Sequence, residues 1–333
     1  MQQFCQYGSV RGATGNRRPY RDNSYTRNMP ARLSSRIFVS HSSANAAAAK
    51  RVGTALEAAG FGVWLDSSDI RLGVLLRNEL HEAIQKSRGV VLLWSEPASK
   101  SRWVAAEILT AFHMDRFIIP CVVDDAPLPQ FLGNSVYLDL RKNEADALGQ
   151  LARAAKNVPK QANPIPPRIG SESAELKRAI DTFAAAQERV TTPLMKRDLK
   201  TAAEVQQVLD PVMKQAEELW RYELMILNLG GYHRKNGYLV KHWDAIQAGR
   251  PPKDPLLHEG ERLFFEALFV DPLDVSALNG LGSTLIYELE LDAAEFFVRR
   301  AIAVSNRLGR SYGAAEQDLK LIEWLKGKKP GGV

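Results

Sequence analysis

Cysteine is almost absent: Cys5 and Cys121 are the two in 333 residues. One stands in a polar stretch and the other in the apolar run FIIPCVV, which speaks against a disulfide framework and for a reducing, cytoplasmic setting. Long apolar runs are missing too. Nothing approaches the ~20 residues of a bilayer-spanning helix, and no secretory signal core opens the chain, so no membrane partner is expected. Neither G-x-G-x-x-G nor G-x-x-x-x-G-K-[ST] occurs, which argues against a bound dinucleotide cofactor and P-loop chemistry. There is no G-x-S-x-G. The histidines (41, 81, 113, 233, 242, 258) are scattered and lack cysteine partners at metal spacing, so no metal site is expected.

The net charge of +6 suggests nucleic acid until it is located. Residues 1–36 carry Arg11, Arg17, Arg18, Arg21, Arg27, Arg32 and Arg36 against the single acid Asp22, so the remainder of the chain is neutral. This Asn-, Gly-, Ser- and Arg-rich stretch has no hydrophobic period and cannot bury enough surface to fold alone. Residues 1–33 therefore read as a disordered basic tail, and no nucleic-acid partner is expected.

Three further sections follow. Residues 34–157 alternate short apolar runs with amphipathic stretches. RIFVS (36–40) reads as a strand ending in His41, Ser42 and Ser43, and 44–60 as a helix stopped by Gly60. FGVWL (61–65) is a second strand, in which Trp64 alternates with Phe61 and Leu65 and reads as core. An acidic loop from Asp66 to Gly73, a helix at 75–87 and the nearly all-apolar strand GVVLLWS (89–95) come next. A polar loop (EPASKS), a helix from Arg102 to about Met114, strands at FIIPCVV and VYLDL and a last helix complete the section. Five strands with intervening helices predict a doubly wound parallel sheet, whose ligands bind beyond the carboxyl ends of the strands where strand order switches. Residues 158–172 hold four prolines and read as a stiff linker. Residues 173–333 show no convincing strand and read as an all-α domain.

In order and spacing, RIFVSHSS, GFGVWLDSSDIRLG, AIQKSRGVVLLWS and SKSRWVAAEI resemble the TIR (Toll/interleukin-1 receptor-like) domains, and the similarity extends through APLPQFL. The resemblance implies a flavodoxin-like five-stranded parallel sheet, self-association and, as in many bacterial members, cleavage of NAD+ between nicotinamide and ribose. It implies Glu107 of the S-x-W-x-x-x-E segment as the catalytic residue. It also implies Ser40, His41, Ser42, Asp66, Arg71, Gly73 and Trp103 around the substrate, with the 66–72 loop as a gate. NAD+ would be substrate, with no other cofactor, and anti-phage defence the setting.

The chemistry is compatible with one carboxylate. The nicotinamide ring nitrogen is already cationic, so the base leaves without a strong general acid, unlike the leaving groups of sugar hydrolases. What remains is an oxocarbenium-like ribose, and a single Glu beside it stabilises the developing charge. Trp103 and Glu107, four residues apart on a helix, are expected on one face, with Trp103 or Trp64 as a stacking surface for a base. Blander roles stand beside these: Glu107 as a solvated helix residue, Trp103 as packing under the sheet, His41 as a pocket wall or loop residue, Asp66 as a turn residue.

In the helical half, Gly260, Phe264, Ala267 and Pro272 recur thirty-four residues later as Ala294, Val298, Ala301 and Asn306. That period, with Leu281-Gly282 in a first helix, resembles the tetratricopeptide repeat. The first helix of the earlier unit is expected to be broken by Gly249-Arg250-Pro251-Pro252, and 314–326 to form a cap. An ordinary helical bundle is the other reading. Helical repeats bind a protein or peptide on their concave face or mediate assembly. The whole chain thus reads either as an NAD+ glycohydrolase activated by assembly or partner sensing, or as a non-catalytic TIR scaffold.

Overall fold

A computed structural model describes residues 36–65, 76–166 and 173–327, with the side chains of 76–79 left aside. The first unit alternates strand and helix. Strands β1 (Arg36–Ser40), β2 (Gly62–Leu65), β3 (Gly89–Trp94), β4 (Ile118–Val122) and β5 (Leu138–Asp139) lie in one parallel sheet of order β2-β1-β3-β4-β5. Helices α1 (Ala46–Ala58), α2 (Leu76–Lys86) and α4 (Arg102–His113) connect the first four, a short α3 (Glu96–Ser99) precedes α4, and α5 (Glu144–Lys156) follows β5. The stretch EPASKS, expected as loop, contains α3 because Ser95 accepts the Ala98 amide and Pro97 suits a first turn.

Period-two alternation sends neighbouring strand residues to opposite faces. Ile37, Val39, Val91, Leu93 and Cys121 pack with Val52, Leu56 and Leu151 of α1 and α5. Phe38, Val90, Leu92 and Trp94 face Ile84 of α2 and Ile108 and Leu109 of α4. Every residue of β3 is buried, as the covering of both faces requires. β2 is an edge strand, and Trp64 is 37% exposed on it, which corrects the expectation that it lies in the core. The expected strand VYLDL contracts to the two residues of β5, which pair only with Cys121 and Val122. The start of β4 is satisfied differently: the Asn163 side chain accepts from Ile118 N at 2.7 Å and donates to Ile118 O at 2.9 Å. Part of the proline-rich stretch is therefore docked on the sheet.

The second unit is helical: α6 (Ala174–Met195), α7 (Leu199–Leu219), α8 (Leu224–Gln247), α9 (Pro255–Val270), α10 (Val275–Tyr287), α11 (Leu291–Arg307) and α12 (Gly313–Gly327). α8 and α9 pack together, as do α10 and α11, with α12 against α11. α8 is not broken. Gly249, at φ +74°, and Pro251–Pro252 instead form the turn that ends it, as the left-handed glycine and the missing proline amides dictate. Close approach depends on small residues: a Cβ on Gly282 would lie 2.6 Å from Val298 Cγ2 and 3.2 Å from Ala294 O. The thirty-four-residue period relates α9 to α11. It does not relate α8 to α10, because α8 is 24 residues long and α10 is 13.

The two units share one continuous core. Trp94 of β3 meets Phe269 of α9 edge-on at 5.9 Å, and Phe131 stands between Phe112 of α4 and Phe269. Across the same seam, Arg102 donates to Glu261 Oε1 at 2.8 Å and Glu288 Oε2 at 2.7 Å.

Candidate functional site

Strand order reverses between β1 and β3, so the carboxyl ends of these two strands open the crevice in which doubly wound sheets bind ligands. Ser40 is the last residue of β1, and its side chain falls on the α4 side of the sheet. It donates a hydrogen bond to Glu107 Oε2 at 2.5 Å. Ser40 is fully buried and Glu107 is 1% exposed, which removes the solvated-helix reading of Glu107. A carboxylate is tolerated at such depth only with polar partners, and the β1 hydroxyl is one of them.

The surrounding turns are built from side-chain caps. Ser42 caps the 3-10 turn at Ser43–Asn45 by accepting the Ala44 amide. Ser95, after β3, donates to Asn45 Oδ1 at 2.6 Å and so ties the two strand ends together across the switch point. Ser101 caps α4 by accepting the Val104 amide. His41 is buried, with Nδ1 3.4 Å from Val39 O. The structure thus gathers Ser40, His41, Ser42 and Glu107 within one rim. Reading ligand sites off the carboxyl ends of the strands points to Ser95 after β3; it missed Asn45, although its place just after β1 was a usable signal. Asp66, Arg71 and Gly73 lie outside the described residues.

Trp103 is placed elsewhere. Glu107 sits with Val104, Ile108 and Ala111 on the buried, sheet-facing side of α4, whereas Trp103, Ala106 and Thr110 line a cleft against the helical unit. The expectation that Trp103 and Glu107 share a functional face is therefore corrected. A spacing of four leaves about 40° between two side chains, and here the boundary between two packing surfaces falls in that gap.

The cleft measures about 330 Å³. Trp103, Phe265, Phe296 and Phe297 form its apolar wall, and Arg299 and Lys326 with Asp292 and Glu295 its charged rim. Lys326 pairs with Asp292 and Glu295, both at 2.5 Å. Arg102, one residue before Trp103, closes one end. Burial alone would lower its pKa, but Glu261 and Glu288 outweigh this and hold it above the ordinary arginine value. His258 stands 3.1 Å from Glu288, so His258, Glu261 and Glu288 bring ligand-type atoms within 4.8 Å of one another. No sequence spacing indicated this, and the Arg102 guanidinium already occupies both carboxylates. Deeper in the seam, burial and the nearby Arg300 push His113 down to about 3, so it is neutral at pH 7.

Residues 37–152 match the family model described as the TIR domain. Together with the all-parallel five-stranded sheet, that match makes the first unit of this chain a TIR domain, followed by a helical region. Among solved structures, the TIR domain of the Toll-related receptor TRR-2 from the lower metazoan Hydra magnipapillata is similar at 18% identity. The alignment covers 36% of this chain and 98% of that one, with a TM-score of 0.33. No curated protein matches the chain. No helix among the described residues is long and apolar enough to cross a membrane.

Proposed function

We propose that this TIR domain is an NAD+ glycohydrolase with Glu107 as its catalytic carboxylate. The supporting observation is the placement of Glu107 at the sheet's switch point, buried and hydrogen-bonded to the Ser40 hydroxyl at the end of β1. The C1–N bond between ribose and nicotinamide breaks, its electron pair stays with the ring nitrogen, and nicotinamide leaves neutral. Glu107 stabilises the cationic ribose. Water then adds at C1 and loses a proton to give ADP-ribose; attack by the adenine ring of the same molecule instead gives a cyclic ADP-ribose. Ser40 holds Glu107 in one orientation, and His41 and Ser42 border the ribose. Asp66, Arg71 and Gly73 remain part of the proposed substrate loop. No further cofactor takes part.

At 1% exposure, Glu107 reaches a ribose only after the rim has opened. Activity in this reading is therefore gated by self-association of TIR domains, or by a protein or peptide on the helical region, in a cytoplasmic defence response of the anti-phage kind. The same burial supports a second reading, in which the Ser40–Glu107 pair is structural and the TIR domain is a scaffold for other TIR domains. Nicotinamide release from NAD+, followed over a wide range of protein concentration, separates the two. The enzyme reading expects release by the wild type, loss in Glu107→Gln and a reduced kcat in Ser40→Ala, with thermal unfolding intact. Equal release by wild type and Glu107→Gln favours the scaffold.

A further inference from the structure

His258, Glu261 and Glu288 stand beside the Arg102 clamp, where the helical unit meets the TIR domain. His258 and Glu261 are three residues apart on α9 and so project from one face of it. Glu288 caps the C-terminus of α10. One ligand-type atom from each of the three lies within 4.8 Å of the other two. His258 Nδ1 is 3.1 Å from Glu288 Oε1 and 3.8 Å from Glu261 Oε2. A tetrahedral ion bound at about 2.0–2.1 Å holds its ligand atoms about 3.3 Å apart. The two separations bracket that spacing, and the exposed His258 ring is free to adjust.

The hold of Arg102 on both carboxylates does not exhaust them. The guanidinium takes Glu261 Oε1 and Glu288 Oε2, in each case the other oxygen from the one that His258 approaches. Glu288 Oε1 decides the matter. The side chain is 9% exposed, the oxygen itself is buried, and no described residue donates a hydrogen bond to it, His258 included. Such an oxygen costs free energy unless a cation or a donor meets it. Charge points the same way. Within the cluster two carboxylates meet one guanidinium, and the negative end of the α10 dipole falls at Glu288.

We propose that His258 Nδ1, Glu261 Oε2 and Glu288 Oε1 bind a divalent transition-metal ion of the zinc type. An imidazole nitrogen among the donors disfavours magnesium and calcium, which take oxygen ligands, and suits zinc and its neighbours. Three protein ligands leave a fourth position to water, on the side where His258 is exposed. Arg102 orients both carboxylates from behind, as the hydrogen-bonding partners of metal ligands do. A guanidinium from α4 of the TIR domain and an ion on the helical unit thus share one pair of carboxylates. The bound ion ties the start of α9 to the end of α10 and steadies the joint between the units. The inference is independent of NAD+ cleavage.

Calorimetric titration of the full chain, first stripped with a chelator, with zinc chloride at neutral pH tests this. One ion per chain is expected, with a dissociation constant of about micromolar or tighter. Losing a ligand should cost no less than losing a partner that orients one, so His258→Ala and Glu288→Gln should each weaken binding about 10-fold or more. His258 is exposed, so its variant should fold. Zinc should raise the melting temperature of the wild type above its value in chelator and leave that of His258→Ala unchanged. Magnesium at about a hundredfold excess should not displace the ion. Absence of saturable binding by the wild type overturns the proposal. Equal affinity in the wild type and both variants places the zinc elsewhere and overturns it as well, and displacement by magnesium overturns the assignment to a zinc-type ion.

Discussion

Replacing Arg102 by methionine probes what holds the TIR domain to the helical region. The side chain keeps much of its apolar stem but loses the guanidinium that bridges Glu261 and Glu288. Both carboxylates are nearly buried, at 4% and 9% side-chain exposure, and would then face one another without the guanidinium between them, with His258 alongside. Removing one partner from a fully buried ion pair costs about 3–5 kcal/mol, because the remaining charge is stranded. Arg102 is 31% exposed, so water offsets part of that. A loss of about 2 kcal/mol is expected, read as a lower urea midpoint. The cause is checked by adding Glu261→Gln and Glu288→Gln to Arg102→Met. Neutral amides need no counter-ion, so the triple variant should recover most of the loss, whereas the two glutamines alone should destabilise by stranding Arg102. A loss below about 0.5 kcal/mol, or no recovery in the triple variant, would refute the claim that this clamp joins the units.

Two further outcomes follow from packing and charge. Gly282→Ala gains about 1 kcal/mol of helix propensity, yet its methyl meets the Ala294 carbonyl and the Val298 amide, which cannot rotate away. Spreading α10 from α11 costs more, so a net loss of about 1–2 kcal/mol is expected by denaturant titration; a stabilised variant would contradict the close approach. Burial holds His113 down to about 3 and His233 down to about 4, while burial lifts Asp318 to about 6. The histidine contributions are complete above the unfolded value of about 6.5 and fade as pH falls, because the unfolded chain takes up protons the fold refuses. Asp318 acts oppositely: its folded form takes a proton first, so it adds stability as pH falls through about 6. Two groups against one give a net loss of about 2 kcal/mol from pH 6.5 to 5. Flat stability across that window, or a loss undiminished in His113→Gln, would contradict the assignment.

Local order was legible in the chain. Apart from α3 and the length of β5, the described strands and helices from Arg36 to Lys156 follow from apolar period and caps, because a buried β3 needs six apolar residues in succession and a helix needs a stripe. The β-then-α alternation implied a parallel sheet, and hence a crevice at the ends of β1 and β3 into which Ser40 and Glu107 both fall. Tertiary structure decided what lies on which side of each helix. The 40° between Trp103 and Glu107 is invisible in their spacing, yet the helical region claims one residue and the sheet the other. It decided that Trp64 sits on an edge strand, since strand order is not written in strand content. It decided that Gly249–Pro252 ends α8 rather than breaking it, because only packing against α9 shows where the helix already stops. The Arg102 clamp spans separations of 159 and 186 residues. Ion pairs of that range leave no periodic trace in a sequence, because their geometry is fixed only after both units have folded and docked.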